Sequence, residues 1–223
     1  MSSKRFKKLP KNTKLLKGEL LDKLIPIIKN NCTTKFDESI DLSLQINNKQ
    51  KKNEINLRTV VNMPGGTGKN VKVAVICEET KSKIANDAGA DLVGSDDLIE
   101  KISAGKFDFT KLICSPAMMS KIGKHGKILG PKGLMPNPKL GTVNQDIKLS
   151  VQNAKSGQVQ FKNDKAGIVH AGIGKMNFDN NDLLENLKSF FSSISKSKPD
   201  SVKGSFIKKV TIASTMGVGL VIN

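Results

Sequence analysis

The chain has 223 residues, with 37 Lys and Arg against 20 Asp and Glu, a formal charge of +17 and a pI near 9.8. That length supports one large or two modest domains with real cores, and a basic excess of this size points to a polyanionic partner, most often a nucleic acid. No apolar run approaches the ~20 residues needed to span a bilayer. The three scattered cysteines (Cys32, Cys77, Cys114) suggest neither a disulfide framework nor a zinc knuckle, and residues 1–14 lack the apolar core of a secretory signal.

Residues 1–12 are a basic arm, expected to be solvated until an anion orders it. Thr13 reads as a helix cap, followed by Leu16, Leu20, Leu24 and Ile27 or Ile28 at helical spacing, with Pro26 expected to kink or shorten the helix. Ile40, Leu42, Leu44 and Ile46 alternate with polar residues, the mark of a half-buried strand, and a second strand is expected over 57–63. This open-faced unit lacks the strands to close its own core.

Pro64, Gly65, Gly66 and Gly68 mark a boundary, read as a hinge together with Gly157. PGGTGKN is not a phosphate loop, because Met63 and Asn70 stand where Gly and Ser or Thr are needed and the segment precedes its strand. Beyond it the pattern alternates between strand and helix. Apolar strands are expected at 71–77, 92–93 and within 107–115, and helices at 80–88, 96–103 and from Pro116 to about Lys127. Asn144 is expected to cap a helix that turns Ile147 and Val151 inward. These elements predict a doubly wound parallel sheet.

After Gly157, residues 158–175 suggest a β-hairpin turning at NDKAG, with Val159, Phe161, Ile168 and Val169 in the core. A helix from Asp179 to Ser195 carries a wide apolar face, and strands are expected over 206–214 and 219–223. These elements supply what 13–63 lack. The expected fold is α/β with two domains. One is a discontinuous split β-α-β domain, 1–65 plus 157–223, and the other is an inserted Rossmann-like three-layer α/β/α domain, 66–156.

His125 and His170 are the only histidines, and neither has a Cys or a paired carboxylate beside it in sequence. No catalytic group, metal site or cofactor is therefore expected. With no Trp or Tyr, a stacking platform for single strands is not expected, and nothing fits a major-groove DNA motif. Structured RNA read by shape and 2′-OH groups remains. From Asp108 to Asp146 the chain has no acid, and Lys111, Lys121, Lys124, Lys127, Lys132 and Lys139 form a basic run. Ser214, Thr215, Met216 and Gly217, at a strand end, offer hydroxyls, a flat apolar chain and close backbone approach. Chemistry alone weighs them evenly between an RNA contact and a plain turn.

Residues 129–143, LGPKGLMPNPKLGTV, resemble the signature of the ribosomal protein L-one family, and the similarity extends over roughly 13–223. It implies the same split arrangement and an RNA contact at Thr215, Met216 and Gly217. It further implies RNA-facing roles in Lys35-Phe36-Asp37-Glu38-Ser39, chiefly Lys35, Phe36 and Ser39, and at Asp164, Lys165, His170 and Lys175. Lys121, Lys124, Lys127, Lys132 and Lys139 form a second basic surface. The chain departs from the family pattern at Asn47-Asn48-Lys49, Thr59 and Gly65.

The resemblance implies a non-enzymatic protein of the large ribosomal subunit, monomeric when free, on a cytoplasmic or organellar ribosome. Its partners would be the rRNA of the mobile stalk, deacylated tRNA leaving the exit site, and the mRNA of its own operon, which it would repress. The rival classes are a nucleotide-binding enzyme built on the doubly wound domain and a DNA-binding regulator.

Overall fold

The computed structural model describes residues 14–15, 21–47, 57–105, 107–199 and 204–222. The expected basic arm, Thr13, and most of the turn after the first strand lie outside them. The chain is mixed α/β, with one antiparallel-rich sheet and one parallel sheet. It divides into two compact units, 1–68 with 159–223 and 69–158.

The first unit is built on a five-stranded sheet, in order β1 (Lys14–Leu15), β10 (Leu220–Ile222), β9 (Ile207–Ser214), β2 (Ser39–Ile46), β8 (Ile168–Lys175). Alternation in β2 does what its pattern requires. Ile40, Leu42, Leu44 and Ile46 are buried, while Asp41 on the opposite face is exposed. The buried face carries α1 (Leu21–Asn31) and α7 (Asn180–Lys196), which contribute Ile25, Ile28, Leu183, Leu187, Phe190 and Ile194 to one core. The other face presents Asp41, His170, Gly172 and Lys209 to solvent.

Two expectations are corrected in this unit. A helix does not run on from Thr13: Lys14 and Leu15 pair in parallel with Val221 and Ile222, and the described part of α1 spans Leu21–Asn31. Pairing with a sheet edge satisfies backbone groups that a lone helical turn would leave open. Pro26 lies inside α1 without ending it. It sits on the exposed side, and burial of Leu24, Ile25 and Ile28 holds the helix across the missing N–H.

The expected hairpin is reduced to a single antiparallel bridge, Asn163 opposite Val169. The chain reverses at 164–167, where Asp164 N–H donates to Ile168 O (2.9 Å) and Ile168 N–H to Asp164 Oδ1 (2.8 Å). β8 then follows β2, whereas β7 (Gln158–Lys162) pairs with β3 (Arg58–Asn62) in a separate ribbon. Phe161 anchors that ribbon edge-on against Phe190, with ring centroids 4.8 Å apart.

The second unit holds three parallel strands in order β5 (Leu92–Gly94), β4 (Val73–Ile76), β6 (Lys111–Cys114). Both faces are covered, so alternate residues enter different cores. Ala74, Ile76, Leu112 and Cys114 join Leu98 and Ile102 of α3 (Asp96–Ser103) and Ile122 of α4 (Met119–Gly123). Val73, Val75 and Ile113 join Ala85 of α2 (Glu79–Asp87) and Ile147 and Val151 of α6 (Ile147–Lys155).

Two local details differ from expectation. The segment from Pro116 is a 3-10 turn (Pro116–Met118) followed by α4 and α5 (Gly126–Leu129), not one helix. Gly123 and Gly126 weaken helix propagation between them. Asp146 occupies the cap position of α6, and Asn144 Oδ1 accepts from its N–H at 3.3 Å.

The loop 129–143 is tied from within. Asn137 N–H donates to Thr142 Oγ1 (2.8 Å), Thr142 Oγ1 donates to Asn137 O (3.1 Å), and Gly141 closes the turn at φ +69°. Leu129 and Leu140 are buried beneath it.

Candidate nucleic-acid interface

β9 ends where β2 begins, because the two strands run antiparallel with Ile40 opposite Ser214. One residue further, Thr215 N–H donates to Ser39 O at 3.0 Å, and Ser39 N–H donates to the Thr215 hydroxyl at 3.0 Å. The segment before Ser39 and the turn after Ser214 are thereby fastened together, although Ser39 and Thr215 lie 176 residues apart.

Glu38 completes the fastening. Its side chain is wholly buried. Oε1 accepts from Thr34 Oγ1 at 2.7 Å and Oε2 from Met216 N–H at 3.0 Å. Its backbone carbonyl accepts from Met176 N–H at 2.9 Å, just beyond β8. Burial alone would raise the carboxyl's pKa. The bonds from Thr34 and Met216, with Ser214 beside them, outweigh that and hold it below the ordinary glutamate value. Asp37 faces the same corner, with Lys175 Nζ at 3.6 Å. Three segments of the chain thus meet around one carboxylate.

What this corner shows to solvent is apolar and flat. Phe36 is 54% exposed and Met216 48%, unusual for large apolar side chains. Lys35 and Thr215 are also exposed, Ser39 and Gly217 half-buried. Gly217 leaves no room for a side chain, since a Cβ there would run into the Ser214 hydroxyl.

Ser214 itself does not face outward, contrary to its reading as an exposed hydroxyl. Strand alternation puts it on the buried side with Val210 and Ile212, against Glu38 and Cys32.

Of the remaining matched residues only Lys175 reaches this corner. Asp164 and Lys165 are exposed in the turn before β8, and Lys175 ends that strand roughly 23 Å away at about 3.3 Å per residue. His170 lies between them on the open sheet face. Its Nδ1 is 3.2 Å from Ser43 Oγ and its Nε2 is 3.7 Å from Asp164 Oδ2, a carboxylate neighbour that the sequence does not place beside it. The matched positions therefore trace a line along β8 to the Glu38 corner, an extended footprint rather than a pocket.

The lysines of the second unit are unequal. Lys121 pairs with Asp96 at 2.8 Å, and Lys132 Nζ sits 3.5 Å over the Phe107 ring. Lys124, Lys127 and Lys139 stand exposed. Lys111 is drawn inward, donating to Ala154 O and Gln158 O at the end of α6. Among the described residues no cluster of His, Cys, Asp and Glu could hold a metal ion, and no helix is long and apolar enough to cross a membrane.

The expected hinge is partly fastened. Gly65 N–H donates to Asn186 Oδ1 (2.9 Å), and Asn186 Nδ2 donates to Gly66 O (3.0 Å) and Ile173 O (2.8 Å). A Cβ on Gly65 would press into Asp182 of the same helix. Pro64 is exposed, Gly68 lies at φ +68° and Gly157 at φ +89°.

The model of the ribosomal protein L1p/L10e family matches residues 28–218, which takes in every segment of the corner. The chain belongs to that family. It is 59% identical to the large ribosomal subunit protein uL1 of Pelagibacter ubique over 219 residues, covering 98% of this chain and 96% of that protein. The corresponding protein of Rickettsia bellii is 50% identical over 196 residues, covering 88% of this chain and 82% of its own length, and that of Rickettsia conorii is 48% identical over the same share. Membership makes the chain a structural, non-enzymatic protein, and the nucleotide-binding enzyme reading falls.

Sequence reasoning passed over Glu38, Thr34 and Ser43. Glu38 stands inside the Lys35–Ser39 motif, and that was the one available signal. Its main partners are 4 and 178 residues away.

Proposed function

We propose that the chain is a structural constituent of the large ribosomal subunit that binds large-subunit rRNA directly through the unit formed by 1–65 and 157–223. The observation that carries this reading is the closure of Lys35–Ser39 and 214–217 into one surface around Glu38, with Phe36 and Met216 exposed on it. A rigid turn bearing a hydroxyl and two apolar faces suits the shallow minor groove and 2′-OH groups of structured RNA. Lys35, Lys165, Lys175 and His170 along β8 supply contacts to phosphates and sugars. Lys124, Lys127 and Lys139 of the inserted domain offer a weaker basic surface.

The likeness to the family supports three finer roles. The chain forms the mobile stalk, assists release of deacylated tRNA from the exit site, and represses translation of its own operon by binding its mRNA. It is monomeric when free and works on the cytoplasmic ribosome.

The test is titration of the full chain with a transcript of the large-subunit rRNA stalk, across salt and against duplex DNA. Tight binding that DNA competes poorly is expected. Equal competition by DNA would favour the regulator reading.

A further inference from the structure

We propose that Glu38 is the positioning residue of the RNA interface: its buried carboxylate holds the 34–38 segment and the 215–217 turn in the one relative placement that binds RNA. The inference rests on the rRNA-binding reading and deepens it.

Glu38 has no need of burial for the core's sake. The strand's apolar residues begin at Ile40, and an uncharged side chain at 38 would fill the space at lower cost than a carboxylate taken from water. Among the described residues no Lys or Arg is ion-paired with it. What the carboxylate does instead is accept. One oxygen takes the Thr34 hydroxyl and the other the Met216 N–H, across segments that no ladder bond joins.

Both neighbours of those contacts are exposed apolar side chains, Phe36 and Met216, whose placement depends on backbone that Glu38 holds. Ser39 and Thr215 close the same gap from the strand side. The lowered pKa of the carboxyl agrees with an anion held by donors. The charge has a further use. The donors turned inward to Glu38 and Ser39 leave Thr215 facing outward chiefly as an acceptor, so the turn suits donor groups of an RNA, such as 2′-OH, and not its phosphates.

Glutamine can keep both contacts, since its Oε1 can accept from Met216 N–H and its Nε2 can donate to the Thr34 hydroxyl. Methionine of similar length can keep neither. The experiment measures full-length wild type, Glu38→Gln and Glu38→Met against the rRNA stalk transcript and against poly(U), with thermal unfolding as the control for folding. Glu38→Met is expected to lose about tenfold or more in stalk affinity with poly(U) binding unchanged, and Glu38→Gln to recover to within about threefold.

Thr215→Val is made in each background. If Glu38 acts by placing the turn, this second change costs much less in Glu38→Met than in wild type. Should Glu38→Met not fold, Thr34→Val, which removes a single partner, replaces it with the same expectation in smaller degree. Stalk affinity unchanged in a folded Glu38→Met or Thr34→Val, equal losses on both RNAs, or additive effects with Thr215→Val would each overturn the proposal. Failure of wild type to prefer the stalk over poly(U) would instead overturn the rRNA reading beneath it.

Discussion

Thr215 and Ser39 bind each other reciprocally: the Ser39 N–H donates to the Thr215 hydroxyl at 3.0 Å, and that hydroxyl donates back to Ser39 O at 3.2 Å. The hydroxyl proton is therefore committed inside the protein, and a lone pair is left for an RNA hydroxyl. Thr215→Val removes both functions. Because the site is exposed and water replaces the lost bonds, the unfolding free energy should fall by about 1 kcal/mol or less. Specific stalk affinity should fall by about 1–3 kcal/mol through an unpaired partner in the complex, with the salt slope unchanged. Thr215→Ser should restore both, and filter binding beside urea unfolding checks the pair.

Glu38 gives the fold an acid-sensitive contact. Its folded-state pKa lies below the ordinary 4.5, so the ionised carboxylate favours the folded state. That contribution is fully present above about pH 4.5 and is lost as pH falls through the lowered folded value. The stability advantage of wild type over Glu38→Gln should accordingly shrink as urea titrations are taken below that point. An advantage independent of pH would mean that folding leaves the carboxyl's pKa unchanged.

Asn186 is a fully buried amide serving three backbone groups, Gly65 N–H, Gly66 O and Ile173 O. Asn186→Leu leaves all of them unpaired; the buried Ile173 O alone costs about 1–3 kcal/mol and the half-buried Gly65 N–H and Gly66 O add less, so a loss of at least about 1 kcal/mol is expected. Asn186→Asp should also destabilise, since a carboxylate would face two carbonyls. Denaturant midpoints at constant m-value measure both.

Lys111 is the buried cation of the second unit, and burial pushes its pKa below the ordinary lysine value. The unfolded chain then binds its proton more tightly than the folded one, so this group's contribution to stability rises with pH up to the ordinary value of 10.5. The stability of wild type relative to Lys111→Met should therefore increase as the pH is raised toward the ordinary value of 10.5. Thermal unfolding of the two proteins in matched buffers reads it.

Legibility in the sequence followed the range of the interaction. Ile40, Leu42, Leu44 and Ile46 announce a one-sided strand because alternation is local, and each is buried. The turn at Asn163-Asp164 was equally local and does reverse the chain, but its residues say nothing of which strands pair afterwards. β7 pairs with β3 instead, and its Phe161 meets Phe190, a contact that no window around the turn contains. Pro26 does not end its helix, because propensity acts residue by residue whereas Leu24, Ile25 and Ile28 act together. At the candidate interface, motif likeness named Lys35, Phe36 and Thr215, while the chemistry of the strand end also offered Ser214, which strand parity turns inward. Glu38 stayed silent because a carboxylate's environment is a tertiary property.

The strand order of the first unit has a consequence for synthesis. β2 is flanked by β8 and β9, both far later in the chain, while the second unit is continuous in sequence. As the polypeptide emerges amino end first, β2 waits with two open edges and an uncovered apolar face while the inserted unit completes itself. The nascent chain thus passes through a stage in which its interior has folded and its beginning has not, the interval in which a chaperone has most to cover. Completion of the sheet, and of the corner around Glu38, comes late, when Ile207–Ser214 and the segment through Leu220–Ile222 have arrived.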